Sequence, residues 1–279
     1  MKQYYLLILA TCINLNANAE LAPTPQPLGN FETIEASKYE VRYSFRFKKH
    51  NTDKEYLEDT RVLQIGDGLV KEYSDIIYHF DSLATENFRK GLPTSSNTNE
   101  TLPCEIFNYH KRKGIKVKYR LMLNGGVLCY DDRYPSFDWK FSEDAPMEIM
   151  GYSCGKATVN FAGREYSVWY TTDIPLPYGP YKFYGLPGLI LRVEESNGMY
   201  IWEVFSVVKS SAPINIYTYE KEIKCNRQDA NKTIGRMMRK PLTFLSSSGT
   251  KIMVARSDGS FGAPSNNEQE NLYEPIELE

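Results

Sequence analysis

Between residues 104 and 223 the chain offers one short alternating apolar run after another, each closed by a turn signal. That succession constrains the fold more than any other feature, because strands joined by tight turns pair with their sequence neighbours and run antiparallel. Residues 104–110, 115–123 and 127–130 read as a meander turning at KRKG and at the NGG of 124–126. ATVNFA and EYSVWYTT form a hairpin about Gly163, and residues 199–208, YIWEVFSVVK, form a long alternating strand. Upstream, YEVRYSFRF at 39–47 places Val41, Tyr43 and Phe45 on one face and Arg42, Ser44 and Arg46 on the other. RVLQIGDGLVKEY, 61–73, turns back at Gly66, Asp67 and Gly68. The next stretch changes period. SDIIYHFDSLATENF predicts a helix capped by Ser74 or Asp75, with Ile76, Phe80 and Leu83, joined by Ile77 and Ala84, on its apolar face. After Cys225 a second, weaker helical stretch ends before Pro241. The expected fold is mainly β (α+β): a curved antiparallel sheet or open half-barrel meander with one or two helices.

The ends set the expected organisation. MKQYYLLILATCINLNANAE has a basic start, a short apolar core and an A-x-A arrangement at Ala17–Ala19, the pattern of a secretory signal peptide over residues 1–19. A lipoprotein reading, with lipid on Cys12, is the alternative, although Thr11 before that cysteine is atypical. No apolar run is long enough to span a bilayer, so the mature chain is expected to be exported without a transmembrane helix, to the periplasm or the outer-membrane surface. Residues 20–37, with three prolines and no periodicity, read as a flexible arm. Residues 38–259 read as a single β-rich domain, and 260–279 as a polar tail ending in PIELE. The formal net charge is −2 with cations scattered among anions, so nucleic acid is not an expected partner.

Without the leader, four cysteines remain: Cys104, Cys129, Cys154 and Cys225. In the meander, Cys104 and Cys129 lie on strands separated by a third, roughly 10 Å apart, beyond the reach of a disulfide. A bond between Cys154 and Cys225 is the favoured pairing if any forms.

PLPYGPYKFYGLPGLILRV, 175–193, interleaves prolines at 175, 177, 180 and 187 with glycines at 179, 185 and 188. Proline fixes φ and removes a donor, and glycine supplies positive φ, so the segment is a stiff connection that launches Leu189, Ile190, Leu191 and Val193 into a buried strand. Arg192 should face outward or find a partner. Tyr178, Tyr181, Phe183 and Tyr184 are the candidates for lining a ligand groove; the competing reading has them packing over an open end of the sheet.

Several motifs in order carry a family resemblance: FDWKF at 137–141, GYSCGKA at 151–157, GREYSVWYTTDIPLPYGPYKFYGLPGLIL at 163–191 and PIELE at 275–279. On these the chain resembles the GLPGLI family of exported Bacteroidota proteins, named for the motif Gly185–Ile190. The resemblance implies an exported β-rich protein and brings no catalytic residues. Members commonly carry an aromatic residue where Trp169 stands, which adds Trp169 to the binding candidates. Cys104, Cys129 and Cys225 are not part of the pattern, and Glu274 stands where an Asn is usual.

Catalytic patterns are few. GYSCG, 151–155, satisfies G-x-S-x-G literally, but a strand follows Ser153 where a nucleophile elbow needs a helix, and His50, His79 and His110 all lie upstream. Three dispersed histidines make no metal shell, and Asp131, Asp132 and Asp138 lack the spacing of a calcium loop. Glu143 and Asp144 are a carboxylate pair that only a cleft would make useful. No cofactor and no catalytic residue are expected. The leading expectation is an exported, non-enzymatic binding or carrier protein of the cell envelope, holding an apolar or peptide ligand or a partner protein. The alternatives are an accessory subunit of an outer-membrane transporter or secretion complex, with LYEPIELE adding a strand to a partner's sheet, and a hydrolase using carboxylates or Cys154.

Overall fold

The computed structural model describes residues 22–94, 100–248, 254–255, 260–262 and 268–279. The proposed signal peptide and Cys12 lie outside the described residues. In chain order the strands are β1 (Phe31–Ala36), β2 (Tyr39–Phe47), β3 (Leu57–Ile65) and β4 (Val70–Ser74), followed by helix α1 (Asp75–Lys90). Then come β5 (Cys104–Tyr109), β6 (Gly114–Arg120), β7 (Val127–Asp132), β8 (Lys140–Phe141), β9 (Met147–Ile149), β10 (Tyr152–Phe161) and β11 (Arg164–Thr171). They are followed by β12 (Leu189–Glu195), β13 (Tyr200–Lys209), β14 (Pro213–Tyr217), β15 (Glu222–Lys224), α2 (Arg227–Arg239) and α3 (Pro241–Ser247).

A 13-stranded sheet dominates, in the order β15-β7-β6-β5-β4-β3-β2-β13-β12-β11-β10-β8, with β9 also on β10. It is antiparallel except where β15 joins β7, and it does not close into a barrel. The mainly β class with a curved open sheet is therefore what forms. Chain-neighbouring strands do pair, as the turn signals require; a long-range join, β2 on β13, lets the two meanders fuse into one sheet.

The inner face carries the main core. Val41, Tyr43 and Phe45 are fully buried, and the Trp202 ring stacks on Phe45 at 4.4 Å between centroids. Each such large apolar side chain contributes roughly 1.5–3 kcal/mol by leaving water. The outer face holds α1 and the β1–β14 ribbon, packed through Leu69, Phe107 and Ile214 and through Tyr217 and Tyr219.

Three expectations change. The segment 20–37 is not an arm from residue 22 onward: Gln26 N–H donates to Asp81, Leu28 N–H donates to Thr85, and β1 pairs with β14. Prolines removed the periodicity without removing these anchoring bonds. The buried stripe of α1 runs through Asp81 and Ala84 rather than Phe80 and Leu83, because Asp81 turns inward to meet Arg120. The Ser74 cap does form, accepting from Ile77 N–H. The four described cysteines are all free thiols. Cys104 and Cys129 are separated by β6 as the meander requires, but Cys225 lies beside Cys129, its N–H donating to the Cys129 carbonyl at 3.1 Å. The Cys154 to Cys225 pairing therefore does not form: β15 docks on β7, at the end of the sheet opposite β10.

Candidate binding cavity and its C-terminal wall

Two bodies cover the inner face. The first is the proline-glycine segment 173–188, held by Tyr43 Oη donating to the Ile190 carbonyl at 2.7 Å and by Leu186, Leu189 and Ile190, all fully buried. The second is α2, capped by Asn226 and anchored where Met122 N–H meets the Met237 sulfur at 3.4 Å, together with the end of the chain. Between them lies a cavity of about 300 Å³. Phe45 and Phe47 of β2, Val117 and Tyr119 of β6 and Tyr130 of β7 form its floor. Ile234, Met237 and Met238 of α2 form its roof, and Tyr181, Lys182 and the chain end from Tyr273 to Glu279 form a wall. Alternating strands put one large apolar residue at every second position of the floor. The amphipathic α2 supplies the opposing surface, and its methionines suit a roof of adaptable shape.

The wall is ionic where it meets the first body. Lys182 Nζ lies 2.5 Å from both Asp132 and Glu277, Tyr181 Oη donates to Glu277 at 2.8 Å, and Arg227 reaches Glu277 at 2.7 Å and Asp132 at 3.2 Å. Burial alone would push the Glu277 carboxyl up, but the Lys182 charge and the hydrogen bonds from Lys182, Arg227 and Tyr181 bring it below its ordinary value. Farther along, Arg164 donates to the Glu274 carboxylate at 2.9 Å and to the carbonyls of Pro275 at 2.7 Å and Ile276 at 3.1 Å. The tail is thus seated on the body of its own chain by these bonds.

Of the aromatic candidates, the cavity takes one. Tyr181 is on its wall. Phe183, 2% exposed, belongs to the core, against Phe137, Phe161 and Tyr166. Tyr184 is half-buried, its hydroxyl on the Pro135 carbonyl and its ring against Tyr134. Tyr178 stacks on His110 at 4.4 Å. Trp169 lies on a different surface, between Arg192 and Lys156 at 5.5 and 5.8 Å from its ring. Arg192 finds its partners in Glu203 and Glu194.

The catalytic patterns gain nothing from the geometry. Ser153 sits inside β10, paired with Glu148 of β9, so no strand-to-helix elbow exists there. Burial pushes the Cys154 thiol up to about 11, the reverse of what a nucleophile needs. Asp132 is consumed by Lys182 and Arg227, and Asp144 pairs with Lys156 on the surface. Among the described residues no group of three potential ligands gathers to hold a metal.

Sequence reasoning missed Lys182, Arg227 and Glu277, and weighed Asp132 only as a calcium ligand. Of the three missed, Glu277 carried a signal, an acidic residue between the apolar Ile276 and Leu278.

Comparison with known proteins adds a local match. A family model described as a protein of unknown function, Porph_ging, matches residues 159–192, which run from the end of β10 through the GLPGLI motif into β12. No curated protein matches. Among solved structures, PNGF-II in two crystal forms is similar at 15% and 16% identity with a TM-score of 0.49 in each case. The similarity covers 73% of this chain and 34% of that one, so the present chain spans about a third of its length.

Proposed function

We propose that this protein is an exported binding protein of the cell envelope that holds a small apolar molecule between its sheet and α2. The observation that carries this reading is the 300 Å³ space whose floor and roof are Phe47, Val117, Tyr130, Met237 and their neighbours. A volume of that size lies at the lower end of ligand pockets, and a mainly apolar lining with a few polar groups at one wall is their usual chemistry. The signal-peptide pattern read in residues 1–19 and the resemblance to the GLPGLI family are what support that compartment. An enzymatic reading lacks an equivalent observation, since the carboxylates nearest the cavity are already paired with cations.

The test uses the purified full chain and an environment-sensitive apolar dye, 1-anilinonaphthalene-8-sulfonate. Val117, 3% exposed, lies on the floor, and Val117→Phe fills the cavity from that side. The dye should bind the native chain at about one site and be displaced by medium-chain alcohols, with binding lost in Val117→Phe while the far-ultraviolet dichroism is unchanged. Equal dye binding by the two folded proteins would overturn the reading.

A further inference from the structure

The seat of the C-terminal tail has the construction of a peptide-binding site. Residues 274–278 lie across the body of the chain and are held mainly through their backbone. Glu274 N–H donates to the Lys49 carbonyl at 2.7 Å, Tyr200 Oη donates to the Glu274 carbonyl at 3.0 Å, and Leu278 N–H donates to the Ala162 carbonyl at 2.9 Å. Arg164, 5% exposed, adds its two bonds to the Pro275 and Ile276 carbonyls. Main-chain capture of an extended segment, with side-chain pockets for register, is how peptide grooves work. One side-chain pocket is charged. With the tail absent, Lys182 and Arg227 would share the single carboxylate of Asp132, two cations to one anion, so the slot is built to take one more carboxylate. Ile276, packed against the core, marks an apolar pocket beside it.

Nothing in these contacts depends on covalent continuity. The seated segment is separated from Ser248 by positions 249–273, and every bond named above runs between the tail and residues at least 50 positions earlier. Attachment raises the tail's local concentration to roughly the millimolar range, which is why it fills the seat in preference to a free peptide.

We infer that this groove is a binding site for an extended peptide segment with a branched apolar residue followed by a glutamate or aspartate, and that the protein's own tail is its resident occupant. A partner bearing such a segment engages the body by displacing the tail. This site adjoins the apolar cavity, whose wall the tail forms, and does not need a small molecule bound there.

The experiment measures fluorescence anisotropy of a labelled synthetic nonapeptide with the sequence of residues 271–279, titrated with the full chain. In the full chain carrying Glu277→Gln the resident tail is weakened, and the peptide should bind at least about tenfold more tightly than it binds the native chain. A peptide with Gln at the position of Glu277 should bind the same variant about tenfold more weakly. Leu278→Pro, which removes one backbone donor from an exposed residue, gives a second weakened tail should Glu277→Gln fail to fold. If folded variants bind the peptide no better than a scrambled one, or bind the Glu and Gln peptides equally, the inference is overturned. The dye assay compares the native chain with Val117→Phe, both carrying the native tail sequence, and the peptide titration uses no dye, so the two readings fail separately.

Discussion

Arg61 has no exposed surface, yet it stands on the inner face of β3 among apolar neighbours. Its guanidinium spans the Glu72 carboxylate at 2.8 Å, Asp59 at 3.2 Å and the carbonyls of Leu102 and Cys104. Removing one member of a buried charge cluster leaves the others desolvated and unpaired, which costs more than the cluster ever contributed to stability. Arg61→Met is expected to lose about 3–5 kcal/mol in urea unfolding, whereas a surface change such as Lys38→Met, remote from any core, should stay within about 0.5 kcal/mol. His110 makes a second prediction. Burial, opposed by Glu35 and assisted by Lys111, holds its imidazole below the ordinary 6.5, and both ring nitrogens are buried without a partner. The folded chain thus resists protonation where the unfolded chain accepts it. Stability contributed above 6.5 is lost as pH falls from there through the lowered value. His110→Phe preserves the ring stacked on Tyr178 and should flatten the decline in urea midpoint between about pH 7.5 and pH 5.5. A native and a variant protein with parallel profiles would show that another group governs that window. At this scale the sequence is least informative: Arg61, Lys182 and Asp81 look like surface residues because nothing in a local pattern reveals that an opposite charge arrives from a distant strand.

Elements were far more legible, because strand, turn and cap each rest on chemistry within a few residues. The hairpins at 66–68 and 162–163, the cap at Ser74 and the break before Pro241 all form where the local signals put them. The β10–β11 turn has positive φ at both Ala162 (48°) and Gly163 (78°), the backbone that matches sheet twist in a two-residue hairpin. The GLPGLI motif divides its work between its glycines. A Cβ on Gly188 would lie 1.8 Å from the Thr171 carbonyl oxygen, so this glycine lets β12 begin against the end of β11. Gly185 has room, its nearest neighbour being Trp139 at 3.6 Å, but its φ of 93° suits only glycine well. Gly188→Ala must displace backbone at the centre of the core and should unfold the chain or cost upwards of about 3 kcal/mol. Gly185→Ala pays only the conformational penalty, about 1–2 kcal/mol. Equal melting temperatures for the two variants would disprove this division. What local chemistry could not supply was the partner of each edge. β15 joins β7 in parallel, and that long-range pairing brings Cys225 to Cys129.

For the molecule as a whole, a curved sheet has an inner face larger than one helix can cover. This chain closes the remainder with the proline-glycine segment and with its own last residues. The two covers differ in what holds them. The first is anchored by fully buried Leu186, Leu189 and Ile190, whose removal from water does not depend on pH. The second is held by bonds to its backbone and by one charged anchor, Glu277, whose side chain is largely buried between Lys182, Arg227 and Tyr181. Because the Glu277 carboxyl is held below its ordinary 4.5, its contribution is complete above that value and disappears as pH falls through the lowered one. Acid should therefore release the tail first: hydrogen exchange of residues 271–279 should accelerate at a pH where β2, β3 and β13 remain protected, and the Glu277→Gln protein should show that fast exchange already at neutral pH. If instead tail and sheet lose protection together, the tail is an integral part of the core and the division into a fixed and a releasable cover is wrong. The outcome bears directly on access, since the tail forms a wall of the cavity. A wall held by charge can be opened by a competing carboxylate without disturbing the apolar floor, which is the property a gated binding site requires.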